Sequence, residues 1–193
     1  MNYIYCVEKL RKILNEKVSI SDSDWQFISS KLHIKEYKKK DLLITTNTIE
    51  NKVYFILEGV FRLFIELPKK DVTIDFGFPS KFLSSYSSFL TQTPSVACIQ
   101  SLTRSKVICI SRADLHEIYK HTNAGESIGR VFAEDFFLYK SKRELSFMKD
   151  SPTNRYLNLV KEQQQLIQKI PQKYLASYIG ITPQALSRIR AKI

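Results

Sequence analysis

The sequence predicts an α+β protein: an antiparallel β sandwich or barrel, then a long helix, then a helix-turn-helix. Three observations predict it. Between His33 and Ser111 the apolar residues fall in short runs rich in β-branched and aromatic side chains, divided by polar turns. From Ala124 to about Lys149 one helical pattern runs without proline. From Ile170 to Arg190 two short helical patterns meet at Gly180.

The chain opens on a helix from about Tyr3 to Asn15. A second helix is signalled by Ser21-Asp22-Ser23-Asp24, where Ser21 caps and Asp24 answers as in a capping box. Trp25, Ile28 and Leu32 follow at helical spacing and form its buried stripe. The strand signals are His33 to Lys38, Val53 to Leu57, Val60 to Leu67, Val72 to Phe78 and Lys106 to Ile110. Gly59, between two of these runs, fits a hairpin turn that needs positive φ. Arg112 to Leu115 starts a short helix.

Along the long helix, Ile128, Val131, Phe132, Phe136, Tyr139, Leu145 and Phe147 make a broad apolar surface. That surface is too wide for one small sheet. It fits a helix packed on the β domain on one side and on its own copy on the other, with Ile128, Val131, Phe132, Phe136 and Tyr139 as the dimerisation residues. A buried linker helix in a monomer is the alternative. Ser151 and Pro152 then open the next helix and mark the clearest boundary. The resulting organisation is 1–120 for the N-terminal helices and β domain, 121–150 for the dimerisation helix, and 151–193 for the helix-turn-helix domain.

Composition narrows the function. The 193 residues carry 30 Lys and Arg against 19 Asp and Glu, a net charge of +11. An excess of that size points to a polyanionic partner. It is concentrated at the end: residues 151–193 hold seven basic side chains against Glu162 alone. The longest apolar runs are far too short to span a bilayer, and the first residues do not read as a secretory signal. A cytoplasmic protein with no membrane partner is expected. Cys6, Cys98 and Cys109 lack metal spacing and suit neither a disulfide framework nor a zinc finger, so no metal site is expected. With five glycines there is no phosphate-binding loop, and no nucleophile set has recognisable context. The protein is not expected to be an enzyme and has no catalytic residues to name.

The carboxy-terminal motif carries the strongest functional signal. Pro171 suits a first turn, Gly180 the left-handed position after a helix, and Thr182 a cap followed by Pro183 at the first position. Leu175, Ile179, Leu186 and Ile189 face inward, and Ala176 lets the two helices cross closely. Thr182, Gln184, Ser187, Arg188, Arg190 and Lys192 are the candidate DNA-binding residues. A helix fits the major groove, where Arg can take guanine and Gln adenine through two bonds each. In this motif the first turn of the second helix reaches base edges.

With these residues in hand, the whole chain resembles the Crp/Fnr family of bacterial transcription regulators. Its most specific stretches are Val53 to Arg62 and Leu175 to Arg190. The resemblance implies an antiparallel β-roll of the cyclic-nucleotide-binding-like type, a long dimerisation helix and a C-terminal helix-turn-helix. It also implies a homodimer on double-stranded DNA, with RNA polymerase as a further partner. Two departures stand out. Many relatives continue into a β wing, whereas this chain ends at Ile193. Only Gln163 to Lys169 is left for the hairpin that some relatives place before the motif.

The third departure lies in the pocket. Relatives that bind cyclic nucleotides carry a Gly-Glu pair after a Phe-Ile-type strand and an Arg about ten residues on. The Glu takes the ribose hydroxyl and the Arg the phosphate. Here Phe82-Leu83 is the matching strand, which puts Ser84 and Ser85 at the Gly-Glu positions and Ser95 at the Arg position. Residues 82–103 contain no charged side chain. No response to cAMP or cGMP by the usual ion pair is expected. Phe82, Ser84, Ser85, Tyr86, Ser95 and Val96 are the candidate pocket, suited to a neutral or amphipathic effector of unknown identity. An empty roll kept as a scaffold is the alternative, and no cofactor is implied. At the level of the whole chain, the competing reading is a small-molecule-binding or protein-interaction module with only non-specific DNA affinity.

Overall fold

The computed structural model describes residues 3–162 and 164–192. Two helices open the chain, α1 (Tyr3–Asn15) and α2 (Asp22–Ser30). The strands among the described residues are β1 (His33–Tyr37), β2 (Leu42–Ile44), β3 (Lys52–Glu58), β4 (Phe61–Leu67), β5 (Lys70–Gly77), β6 (Phe82–Leu83), β7 (Cys98–Ser101) and β8 (Ser105–Ser111). Between β6 and β7 lies α3 (Tyr86–Thr91). The remainder is helical: α4 (Arg112–His121), α5 (Gly125–Lys149), α6 (Pro152–Glu162), α7 (Gln164–Lys169), α8 (Gln172–Tyr178) and α9 (Pro183–Arg190). Gln163, at the start of the short stretch before the motif, lies outside the described residues.

The strands form two four-stranded sheets, ordered β1-β8-β3-β6 and β2-β7-β4-β5. In the first, β3 runs antiparallel to both β8 and β6. Residues 53–57 of β3 are all buried, so both faces of the strand are covered. The alternation shows what covers them. Phe55, Leu57 and Ile108 share one apolar cluster with Leu10, Trp25 and Ile28 from α1 and α2. Tyr54, Ile56, Val107 and Cys109 point to the opposite face and are also buried. β2, β7 and α3 carry weak sequence signals, because they are short and rest on tertiary contacts.

Local chemistry sets the element ends. Ser21 caps α2, its hydroxyl accepting from the Asp24 amide at 3.1 Å. The other half of the expected capping box is replaced: the Asp24 carboxylate accepts from the Ala124 amide at 2.9 Å and so ties α2 to the start of α5. Lys38, Lys39 and Lys40 form an exposed turn, with Lys40 at φ 78°. Gly59 turns β3 into β4 at φ 92°.

The chain divides into two compact units. One comprises residues 1–63 and 76–134, and the other residues 64–75 and 135–193. This cuts across the three segments read from the sequence. The reason is that the tip of the β4–β5 hairpin and the second half of α5 bond to each other and to α8, as described below.

A side chain at Gly59 would overlap Ser105, besides forcing an L residue to positive φ. Gly59→Ala is expected to cost about 1–3 kcal/mol of unfolding free energy, measured by urea denaturation followed at Trp25.

Candidate functional site

The two-helix motif at the carboxy-terminal end is built as its sequence requires. α8 ends at Tyr178, and Gly180 follows at φ 77°. The Ile181 amide donates back to the Ala176 carbonyl at 2.9 Å, closing the turn. Thr182 caps α9, its hydroxyl accepting from the Ala185 amide, and Pro183 takes the first turn. Leu175, Ala176, Ile179 and Leu186 are buried, while Ile189 is half-buried. Ala176 is 0% exposed.

Thr182, Gln184, Ser187, Arg188, Arg190 and Lys192 are all exposed. Ser187 is engaged, its hydroxyl accepting from Gln172 Nε2 at 2.6 Å. Lys161, Lys169 and Lys173 add exposed charge within the same unit. Arg155 does not. Its Nε donates to the Ile179 carbonyl at 3.0 Å and its Nη1 to the Asp150 carbonyl at 2.7 Å.

Arg155 belongs to a set of side chains that the sequence did not announce. Arg143 Nη2 donates to the Tyr178 carbonyl at 2.8 Å, and its guanidinium lies 3.8 Å from the centre of the Tyr178 ring. The two arginines therefore hold the last carbonyls of α8, the groups a helix end leaves without partners. Both also flank Phe147, at 4.8 Å each. A Cβ at Gly180 would come within 2.9 Å of that ring, so Phe147 and Gly180 fit each other closely. The only sequence signal was the spacing of Arg143 and Phe147, four residues apart on one helical face.

The dimerisation candidates separate into two groups. Ile128 packs on the apolar cluster of the first unit, and the Phe132 ring meets Phe82 and Tyr86 edge-on at 5.0 and 5.4 Å. The Phe136 ring stacks under Lys140. The Tyr139 hydroxyl donates to Asp75 at 2.6 Å and lies 3.2 Å from the Tyr178 hydroxyl. Burial and the Asp75 carboxylate both push the Tyr139 phenol up, so it stays protonated as a donor. Val131 is half-buried and falls seven residues before Leu138, which is itself seven before Leu145. Leu138, Leu145 and Met148 are 64%, 56% and 74% exposed, an uncovered apolar seam.

In the roll, the serines close on one another. The Ser85 and Ser95 hydroxyls are 2.7 Å apart. Ser95 donates on to the Ala97 carbonyl, and Ser84 to the Lys52 carbonyl. All three are buried. Ser85 and Ser95, expected from the sequence at the acid and arginine positions of a nucleotide-binding roll, are joined by a neutral hydrogen bond. Phe82 meets Phe55 at a tilt of 55°, and Tyr86 stacks on Phe89. Val96, expected as an apolar wall, is 67% exposed and lines no interior. A cleft of about 310 Å³ lies elsewhere, between α1 and α2, where Arg11 pairs with Asp22 and stacks on Trp25. The three cysteines are buried and not joined in a disulfide, and the described residues hold no cluster of metal-ligating side chains. No described helix is long and apolar enough to cross a membrane.

One buried acid beside these serines escaped the sequence reading. Glu50 is 2% exposed. Its Oε1 accepts from the Lys52 amide at 3.0 Å and the Tyr54 hydroxyl at 3.4 Å, while Oε2 has no hydrogen-bond partner. Its own amide donates to the Ser88 hydroxyl. Burial pushes the carboxyl up from 4.5 to about 7, only partly offset by those donors. Because the folded value is raised, the stabilisation is complete below pH 4.5 and is lost as the pH climbs through 7. Wild-type stability should therefore fall by as much as about 3 kcal/mol between pH 5 and 8. Glu50→Gln should flatten that profile in urea titrations and be the more stable protein at pH 8.

Comparison with known proteins agrees with this architecture. Residues 34–122 match the cyclic nucleotide-binding domain family. No curated protein matches the chain. The fold is similar to FixK2 from Bradyrhizobium japonicum, with a TM-score of 0.72 at 14% identity over 83% of each chain. It is similar to a transcriptional regulator of the Crp/Fnr family from Eubacterium rectale, with a TM-score of 0.68 at 15% identity over 90% of this chain and 83% of that one. For the catabolite activator protein of Thermus thermophilus the TM-score is 0.56 at 15% identity, over 93% and 85%.

Proposed function

We propose that this chain, which has the Crp/Fnr fold, is a homodimeric regulator that reads double-stranded DNA with α9. One observation carries the reading. Thr182, Gln184, Ser187, Arg188, Arg190 and Lys192 are exposed on a capped helix whose inner face is fixed by Ala176 and Leu186. Arg188 and Gln184 supply two-bond recognition of bases, and the lysines and Arg190 neutralise phosphates. Two such helices about 34 Å apart would read a near-palindromic site, with affinity falling steeply as salt rises. RNA polymerase is a further partner under this reading.

The exposed Leu138 and Leu145, seven residues apart on α5, support pairing of two copies through that helix. The neutral Ser85–Ser95 closure argues that the roll does not take cAMP or cGMP by an ion pair. The roll serves as a scaffold or answers to a neutral effector.

Selection of sites from a random duplex pool tests the reading. A two-fold symmetric motif with half-sites one helical turn apart is the expected product, and sequence-blind binding alone would overturn it. Arg188→Ala should cost about 1–3 kcal/mol on the selected site and relax one base position per half-site. Leu138→Glu should give a monomer in sedimentation and abolish preference for the two-fold site, while the circular dichroism of the fold is retained.

A further inference from the structure

The second compact unit is continuous with the first through three peptide links, at 63–64, 75–76 and 134–135. Asp75 is the residue at the middle crossing. Its carboxylate receives Tyr139 Oη at 2.6 Å and Lys140 Nζ at 2.8 Å, from the first turns of α5 beyond the third crossing. One acid therefore ties the end of the hairpin to the second half of α5 within this unit. Tyr139 has a single hydroxyl proton, and it is given to Asp75. The Tyr178 hydroxyl, 3.2 Å away, then donates to Tyr139, so both phenols orient toward the same carboxylate.

The hairpin grips α8 at a second point. The Thr73 amide donates to the Ser177 hydroxyl at 2.9 Å, and that hydroxyl donates to the Asp71 carbonyl at 3.4 Å. Ser177 and Tyr178 are the last two residues of α8, directly before the Gly180 turn that launches α9. The Asp75 side chain is 13% exposed, so an interaction lost there leaves charge and hydroxyls poorly solvated.

We propose that Asp75 is a positioning residue for DNA reading. Through Tyr139 and Tyr178 it fixes the end of α8, and with it the direction in which α9 leaves the turn. The proposal rests on the DNA-binding reading above and adds to it a residue from the hairpin, distant in sequence from the motif.

Hydrogen exchange on the full chain, with DNA titrations alongside, tests it in Asp75→Asn and in the milder Tyr139→Phe. The amides of Ile179, Gly180 and Ile181 should exchange about tenfold faster in both variants, with β3 and β8 unchanged. Affinity for the selected duplex should fall about tenfold, and affinity for a random duplex should hold. The double variant should be little worse than either single one, because both break the same chain of bonds. Arg188→Ala serves as the contrast, losing specific affinity with wild-type exchange. Unchanged exchange at the turn, or faster exchange with undiminished specific affinity, overturns the role of Asp75. If exchange accelerates but the wild-type protein prefers no sequence, the DNA reading fails while the brace itself stands.

Discussion

The pairing of β3 with β8 is the interaction on which the first unit depends, because the strand pair is buried on both faces by different neighbours. Its one face completes the cluster with α1 and α2, and its other face belongs to the interior of the roll. Such a strand tolerates no slip in register, since a one-residue shift would exchange Phe55 with Ile56 and empty both cores at once. Gly59 sits directly after it, where the chain must turn against Ser105. The burial that makes β3 immovable also explains why Glu50, two residues upstream, is drawn into an apolar setting that suits its acid form better than its anion.

Elements with a strong local signature were legible in the sequence. The Trp25 stripe, the Gly59 turn, the Pro152 start and the Thr182-Pro183 cap each depend on a few neighbouring residues, and each stands where those residues place it. What was hidden depends on long-range contact. Asp24 satisfies every local rule for a capping box, yet its carboxylate reaches 100 residues onward. Arg155 reads as part of a basic surface, but the carbonyl it holds lies 24 residues away. Asp75 lies in a strand remote from the motif and shows no spacing relative to Tyr139 or Tyr178 that a sequence pattern could reveal. Charge counting is blind to such differences because it does not distinguish a solvated guanidinium from a bonded one.

The roll and the second unit use polar groups differently. Around Ser84, Ser85 and Ser95 the hydrogen bonds are neutral, joining Ser85 to Ser95 and Ser84 to the Lys52 carbonyl of β3. In the second unit neutral bonds at the turn are joined by charge-assisted ones: Asp75 with Lys140, Arg143 with Tyr178, Arg155 with Ile179. Charge-assisted bonds are the stronger class and the more sensitive to loss of one partner. The second unit thus carries the bonds more sensitive to loss of a partner, while those around the three serines involve no ionic pair.

The discontinuity of the second unit has a consequence for anyone wishing to work with a smaller piece of the protein. α9 has eight residues, too few to hold a helical conformation on its own in water, so a peptide of that sequence would not present Gln184 and Arg188 together. Extending the piece upstream does not solve the problem. A contiguous fragment from Asp135 onward would still lack residues 64–75, leaving Tyr139 and Lys140 without Asp75 and Ser177 without the Thr73 amide. A faithful miniature would have to graft the hairpin tip onto the helical segment by a new linker, or permute the chain so that the two parts become neighbours in sequence.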